Sequence, residues 1–281
     1  MSYFVALCFV VGPVCRNLLQ GDGVWGVTIL DNVIYVLRRK EMEQIAAYDA
    51  DSYRLQTKFS VSGLRGAYGI VACPHYQCLY ISGGYDSYVH RVALINGAVT
   101  SWSVYDTYRG LSVTDTHSVL VTCNKVRKVK EFRTGGKLLR QIELPEDVMS
   151  PWHTIQLSSG EFIVSDGVPS NPVHRVCLID SNGHVVKSYG GRKGSGIQQV
   201  DVPAHLAVDR NGFVFVADSN NHRVLLLSSA LTFVREVLSR KQLEWRPLRL
   251  WLDSDIRRLY VGVNEWKDNR YVAGKVAVVD V

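Results

Sequence analysis

The stretch Val202–Leu227, VPAHLAVDRNGFVFVADSNNHRVLLL, decides the reading of this chain. It divides into three short strands. His205–Val208 is apolar, a turn follows at Asp209-Arg210-Asn211-Gly212, and Phe213–Val216 alternates in the β manner. The polar loop Asp218–His222 then leads into Arg223–Leu227. Apolar runs this short, bounded by Asn, Gly, Asp and Ser, are strand and hairpin signals rather than helices. An antiparallel unit of this size cannot bury both faces alone and needs neighbours.

The chain supplies copies. His-Arg-Val occurs at His90-Arg91-Val92, His174-Arg175-Val176 and His222-Arg223-Val224, each time before another apolar pair. His153–Gly167 (HTIQLSSGEFIVSDG) matches HLAVDRNGFVFVADS closely. Val27, Ile70, Leu111, Thr154, Leu206 and Leu250 share one column, at intervals of 43, 41, 43, 52 and 44 residues. Self-similarity at about 40–50 residues, with four short strands per unit, marks a β-propeller. The expected fold is all-β: six four-stranded antiparallel blades starting near residues 24, 67, 108, 151, 203 and 247, in one domain over 1–281. The glycine-rich loop Gly190–Asp201 accounts for the long interval. It lacks Walker spacing and a following helix, so it is not read as a nucleotide loop.

Blade six reads as Leu248–Leu252, Arg258–Val263 and Lys275–Val281, one strand short. An unpaired strand edge is a liability in a ring. The apolar segment Tyr3–Val11, within residues 1–20, is therefore expected to supply the missing outer strand. Tyr3–Val14 is too short to span a bilayer as a helix. It lacks the basic n-region of a signal peptide, although its length fits an h-region, so a signal segment stays open.

The length of 281 residues with 47% hydrophobic content suits a single all-β domain. The net charge of +6 permits an anionic partner without requiring one. Six cysteines without CxxC pairs argue against a zinc finger or a disulfide framework, and reduced thiols point to a cytoplasmic protein.

Residues 202–227 resemble an NHL repeat. The matching positions are Pro203, Leu206, Ala207, Val208, Asp209, Gly212, Phe215, Val216, Ala217, Asp218, Asn221, Arg223 and Val224. The likeness is strong in blade five, good in blade four, partial in blades two and six, and mostly rhythm in blades one and three. It implies a propeller similar to the C-terminal propeller of tripartite-motif (TRIM-NHL) proteins. Those relatives carry RING, B-box and coiled-coil modules upstream, for which this sequence has no ligand spacing or heptads. The resemblance thus implies the recognition half of a ubiquitin-ligase pathway, without ligase chemistry.

Three sets of residues stand out. Arg91, Lys128, Arg175, Arg223 and Lys275 recur before the third strand, with Gln44 in the same column, and read as partners for loop carboxylates such as Asp86, Asp166 and Asp218. Next, the loops of one face are basic. They carry Arg38, Arg39, Lys40, Arg65, Arg109, Lys125, Arg127, Arg192, Lys193, Arg246, Arg249, Lys267 and Arg270, with Tyr68, Tyr85, Tyr108, Trp152, Trp245 and Trp266 interspersed. The opposite loops carry Asp31, Asp49, Asp51, Asp115, Asp180, Asp209, Asp253 and Asp255 against Arg210 and Arg257. A basic, aromatic face fits a protein partner, or single-stranded RNA, where charge tracks phosphate and rings stack on bases. Finally, His153 and His205 are placed near the central channel. The peptidyl-hydroxyglycine amidating lyases put zinc-binding histidines at such positions, but zinc catalysis needs a third ligand. The equivalent residues here, Gly26, Gly69, Gly110 and Arg249, cannot serve. The expected function is accordingly a non-catalytic protein-interaction module, with single-stranded RNA binding and then a zinc lyase as alternatives. No cofactor, membrane contact or small-molecule substrate is expected.

Overall fold

The computed structural model describes residues 18–39, 43–84 and 87–281, which form six four-stranded antiparallel sheets. Blade one is Gly23–Leu30, Val33–Arg39, Glu43–Asp49 and Leu55–Phe59; blade two is Gly69–Cys73, Cys78–Ser82, Tyr88–Ala93 and Val99–Ser103. Blade three is Gly110–Val113, Val119–Cys123, Lys128–Phe132 and Leu138–Glu143; blade four is Pro151–Gln156, Phe162–Asp166, Val173–Ile179 and Val185–Arg192. Blade five is Pro203–Val208, Val214–Asp218, Arg223–Leu227 and Phe233–Leu238. Blade six holds Arg246–Asp253, Arg258–Lys267 and Arg270–Asp280, with Leu18–Gly21 paired antiparallel to the last of these. The innermost strands touch in sequence order and the sixth touches the first, so the sheets stand as blades of a six-bladed propeller. The expectation that Tyr3–Val11 closes the ring lies outside the described residues.

Burial explains why the second strands are apolar throughout. Cys78–Ser82, Val119–Cys123, Phe162–Asp166 and Val214–Asp218 are buried at every position. Each such strand is covered on both faces by neighbouring blades, so it has no solvent side to mark with polar residues. The outer strands are exposed, as in Leu55–Phe59 and Leu138–Glu143. Six hydrophobic clusters result, each made by one pair of adjacent blades. No blade owns a core of its own.

The sequence reading ended the second strand of blade six at Val263 and resumed at Lys275. The observed hairpin is longer. Its strands run to Lys267 and restart at Arg270 around Asp268-Asn269, at φ 50° and 58°. A two-residue turn with both φ positive matches the strand twist, and Asp and Asn tolerate that region. Lys267 and Arg270 are therefore strand residues rather than loop residues.

Buried side-chain hydrogen bonds join neighbouring blades, as two examples show. Asn264, fully buried on the second strand of blade six, accepts the Val24 N–H at 2.6 Å and donates to the Val24 carbonyl at 2.7 Å. Ser112 donates to the Thr154 carbonyl at 2.7 Å, tying blade three to blade four.

Candidate functional site

The site is built around a ring of six positions, one per inner strand: Gly26, Gly69, Gly110, His153, His205 and Arg249. At Gly26 and Gly110 the neighbouring blade packs too closely for a side chain, whereas a Cβ on Gly69 would meet only Ser82 Oγ at 3.6 Å. A Cβ on Gly26 would lie 2.5 Å from Ile70 Cγ2, and one on Gly110 would lie 2.5 Å from the Trp152 carbonyl oxygen. On the other side of the ring His153 and His205 stack with centroids 3.7 Å apart at 19°. His153 Nδ1 accepts the Leu206 N–H at 3.3 Å and Nε2 donates to the Leu111 carbonyl at 3.1 Å. His205 Nδ1 accepts the Leu250 N–H at 3.4 Å. Burial, helped by the nearby Arg249 charge, lowers the His153 pKa to about 4. Burial first, then the neighbouring His153 and Arg249, hold His205 well below the ordinary histidine value. Both rings are neutral at pH 7.

Arg249 reaches across from this side toward blades one and two. It is 5% exposed. Its Nε donates to the Trp25 carbonyl at 2.8 Å and to the Tyr68 carbonyl at 3.0 Å. Nη1 donates to the Leu248 carbonyl at 2.7 Å, and Nη2 also bonds the Tyr68 carbonyl. Burial pulls its pKa down to about 10, which leaves it charged at neutral pH.

Beside this ring, which contributes Arg249 to its lining, opens a bowl of about 720 Å³, within the size range of ligand pockets. Its wall includes the residues immediately preceding the ring positions: Trp25, Tyr68, Arg109, Trp152 and Leu248. The extended blade-six hairpin adds Trp266, Arg270 and Tyr271 as a raised rim. Rings and guanidinium groups alternate along the wall. Arg109 lies 4.4 Å from the Trp152 centroid and 5.7 Å from that of Tyr68, and Arg39 lies 5.9 Å from Tyr68 and 4.8 Å from Trp25. Trp25 meets Tyr271 edge-on at 5.4 Å, Tyr271 meets Trp266 at 4.6 Å, and Arg246 covers Trp266 at 5.4 Å. Contacts of this kind contribute about 0.5–2 kcal/mol each and fix the arginine planes.

The bowl gathers Arg39, Tyr68, Arg109, Trp152, Arg249, Trp266 and Arg270 from the expected binding face. Arg246 stands behind Trp266. Arg65, Lys125, Arg127, Arg192 and Lys193 are exposed and do not line the bowl. Arg38 is buried and donates to the Asp22 carbonyl at 2.7 Å. Lys40 and Tyr85 lie outside the described residues. Two aromatic assignments need correction. Tyr108 is buried in the core between blades two and three, its hydroxyl on the Tyr88 carbonyl. Trp245 packs against the core between blades five and six. Trp25 and Tyr271 line the bowl without having been singled out. Trp25 could have been found as the blade-one member of the Tyr68–Arg109–Trp152 column.

The recurrent Arg–Asp pairs are structural. Arg223 Nε meets Asp218 Oδ2 at 2.7 Å and Arg175 Nε meets Asp166 Oδ2 at 3.5 Å. The other Asp oxygens accept the N–H of Asp201 and of Ser150, each at 2.7 Å. Lys128 and Lys275 instead pair with Glu143 and Glu244, and Asp86 lies outside the described residues. Much of the opposite acidic face is turn chemistry. Asp180 Oδ1 accepts the N–H of Asn182 and His184, and Asp209 Oδ1 those of Asn211 and Phe213. Asp residues favour such turns for this local bonding.

Among the described residues no group of three His, Cys, Asp or Glu could hold a metal, and the His pair spends both Nδ1 atoms on backbone N–H groups. Cys73, Cys78, Cys123 and Cys177 are buried free thiols. No helix among the described residues is long and apolar enough to cross a membrane.

The NHL repeat family model matches residues 201–225. No curated protein matches the sequence. Among solved structures, virginiamycin B lyase from Staphylococcus aureus is similar in fold at 9% identity, covering 94% of this chain and 99% of that one, with TM-score 0.65. Hydrazine synthase of Kuenenia stuttgartiensis is similar at 14% identity, covering 90% and 78%, with TM-score 0.65. A protein of unknown function from Bacteroides caccae is similar at 14% identity, covering 78% and 82%, with TM-score 0.58. At such identities the likeness is one of fold. The chain is a six-bladed β-propeller in which one stretch, residues 201–225, matches the NHL repeat.

Proposed function

We propose that this propeller is a non-catalytic recognition module that binds an acidic segment of a protein partner in the arginine–aromatic bowl. The observation that carries the reading is the wall in which Arg109 and Arg39 alternate with Trp152, Tyr68 and Trp25. Ring-stacked guanidinium groups are pre-set for planar carboxylates and need little reordering on binding. A closed ring with no core inside any blade is a rigid platform, and its specificity resides in the loops and the blade-six hairpin. The resemblance to tripartite-motif propellers gives this role a setting, substrate recognition in a ubiquitin-ligase pathway. The neutral, hydrogen-bonded histidine pair supports a structural role over lyase chemistry.

Single-stranded RNA is the second reading, favoured by the 41% exposure of Trp266 at the rim, which offers a ring for base stacking. Anisotropy titrations with a glutamate-rich peptide and an oligouridylate at several salt concentrations separate the two. The peptide is expected to bind with modest salt dependence, and Arg39→Glu and Arg270→Glu to weaken it. Tight oligouridylate binding with a steep salt slope, and no peptide binding, would replace the first reading by the second.

A further inference from the structure

The arginines of this protein divide by what faces them. Arg140, Arg175, Arg210, Arg223 and Arg258 each lie against a carboxylate. No carboxylate pairs with Arg109 or Arg249 among the described residues, although Arg249 is 5% exposed. The two charges feel one another, since Arg109 contributes to the lowered pKa of Arg249. A buried cation left without its counter-charge is destabilising. Carbonyl oxygens alone offset part of that cost.

The donors can be counted. A guanidinium carries five N–H groups. In Arg249, Nε, one N–H of Nη1 and one of Nη2 are taken by the carbonyls of Trp25, Tyr68 and Leu248. One N–H remains on each Nη atom, which together make the two-pronged donor that grips a carboxylate. Nearby, Arg109 Nε and Trp152 Nε1 are both buried without a hydrogen-bond partner, and both residues line the same cavity. Buried polar atoms without partners are uncommon and call for an explanation. Here four N–H groups without acceptors belong to three residues of one bowl. An ionised carboxylate has about four lone-pair sites.

We propose that the floor of the bowl is a single-carboxylate subsite, in which one Glu or Asp side chain of the bound segment docks on the two remaining N–H groups of Arg249, flanked by Arg109 Nε–H and Trp152 Nε1–H. This rests on the reading of the bowl as a site for an acidic protein segment and names what that segment must present. Asp22 is the one acid among the lining residues, so Arg39, Arg109, Arg249 and Arg270 leave a positive field that draws the carboxylate inward. The rings of Tyr68 and Trp152, each covered by Arg109, then limit water around it, which strengthens each charge-assisted bond.

The test is anisotropy of fluorescein-labelled tetraglutamate with the full chain, with tetraglutamine and inorganic phosphate as competitors. Trp152→Phe keeps the ring and removes the N–H; Arg109→Gln removes the charge from a half-buried position; Arg249→Met removes the fork. Tetraglutamate is expected to bind saturably and tetraglutamine not to compete. Trp152→Phe and Arg109→Gln are each expected to raise Kd about tenfold or more, the loss of a charge-assisted hydrogen bond, with the melting temperature little changed. Since Arg249→Met removes interblade bonds and can impair folding, the decision rests on the other two variants. Tetraglutamate binding that both leave within about twofold, while Arg270→Glu abolishes it, would overturn the subsite and keep the bowl as the binding face. Absence of binding by any acidic peptide would overturn both readings. Phosphate binding without tetraglutamate binding would overturn the carboxylate assignment.

Discussion

Asn264 offers a sharp test of how the ring is held. Its side chain spends both ends on one residue at the far end of the chain, accepting the Val24 N–H at 2.6 Å and donating to the Val24 carbonyl at 2.7 Å. Gly274, its cross-strand neighbour, leaves room for this contact, because a Cβ there would lie 2.5 Å from Asn264 Oδ1. Asn264→Leu keeps the volume and removes both bonds. Val24 is fully buried, so water cannot replace them, and a buried orphan polar group costs about 1–3 kcal/mol. Two such groups give a loss of about 2–6 kcal/mol. Unfolding entropy of about 2.1 cal/mol/K per residue, over 281 residues, converts each kcal/mol into roughly 1.7 °C. The expected fall in melting temperature is therefore about 3–10 °C in a thermal scan. The control is Asn182→Leu, at an exposed turn, which should shift the melt by much less. An Asn264→Leu protein melting within about 1 °C of the parent would refute the argument that this clasp joins blade six to blade one.

Other predictions follow from the ring and the repeat. Gly110→Ala should destabilise by about 1–3 kcal/mol, since the added methyl meets the Trp152 carbonyl oxygen at 2.5 Å; chemical denaturation reads the change. The His153 pKa of about 4 against about 6.5 when unfolded means the unfolded chain binds a proton first. Stability from this group is complete above about pH 6.5 and lost progressively toward pH 4, by about 3 kcal/mol in all. His153→Gln should flatten that part of a melting-temperature profile by a similar amount, and an unchanged profile would contradict the burial argument. Asp218→Ala should cost about 3–5 kcal/mol by removing the buried carboxylate shared by Arg223, Asn221 and the Asp201 N–H. Asp218→Ala in combination with Arg223→Met should recover part of it, measured as a double-mutant cycle.

Blade architecture was legible because a repeat reports on itself. The expected blade starts fall within two residues of the observed inner strands, even where blades one and three lose the motif. The Asp218–Arg223 and Asp166–Arg175 pairs were readable for the same reason. The site was harder. A loop's basic character shows in sequence, but whether a given arginine turns inward depends on what the adjacent blade leaves open. Arg109 meets Trp152 across a blade boundary, whereas Arg127 and Arg192 stay in solvent. Tyr108 and Trp245 were misplaced because an aromatic in an interblade loop can cap a core as readily as face a ligand. The blade-six hairpin escaped notice because its turn is Asp268-Asn269, without the glycine that usually marks a two-residue turn.

That hairpin also bears on how such a protein can change. Its strands project beyond Val263 and Lys275, where the repeat's own ladder ends, and carry Trp266, Arg270 and Tyr271 outside all interblade hydrogen bonding described above. Side chains alternate with a period of two along a strand. Adding or removing one residue pair on each strand would raise or lower the rim while keeping every remaining side chain on its face. Sequence drift at this one tip could thus retune which partner fits, leaving the six shared cores untouched, so close relatives of this chain can be expected to differ first in the length of blade six's final hairpin.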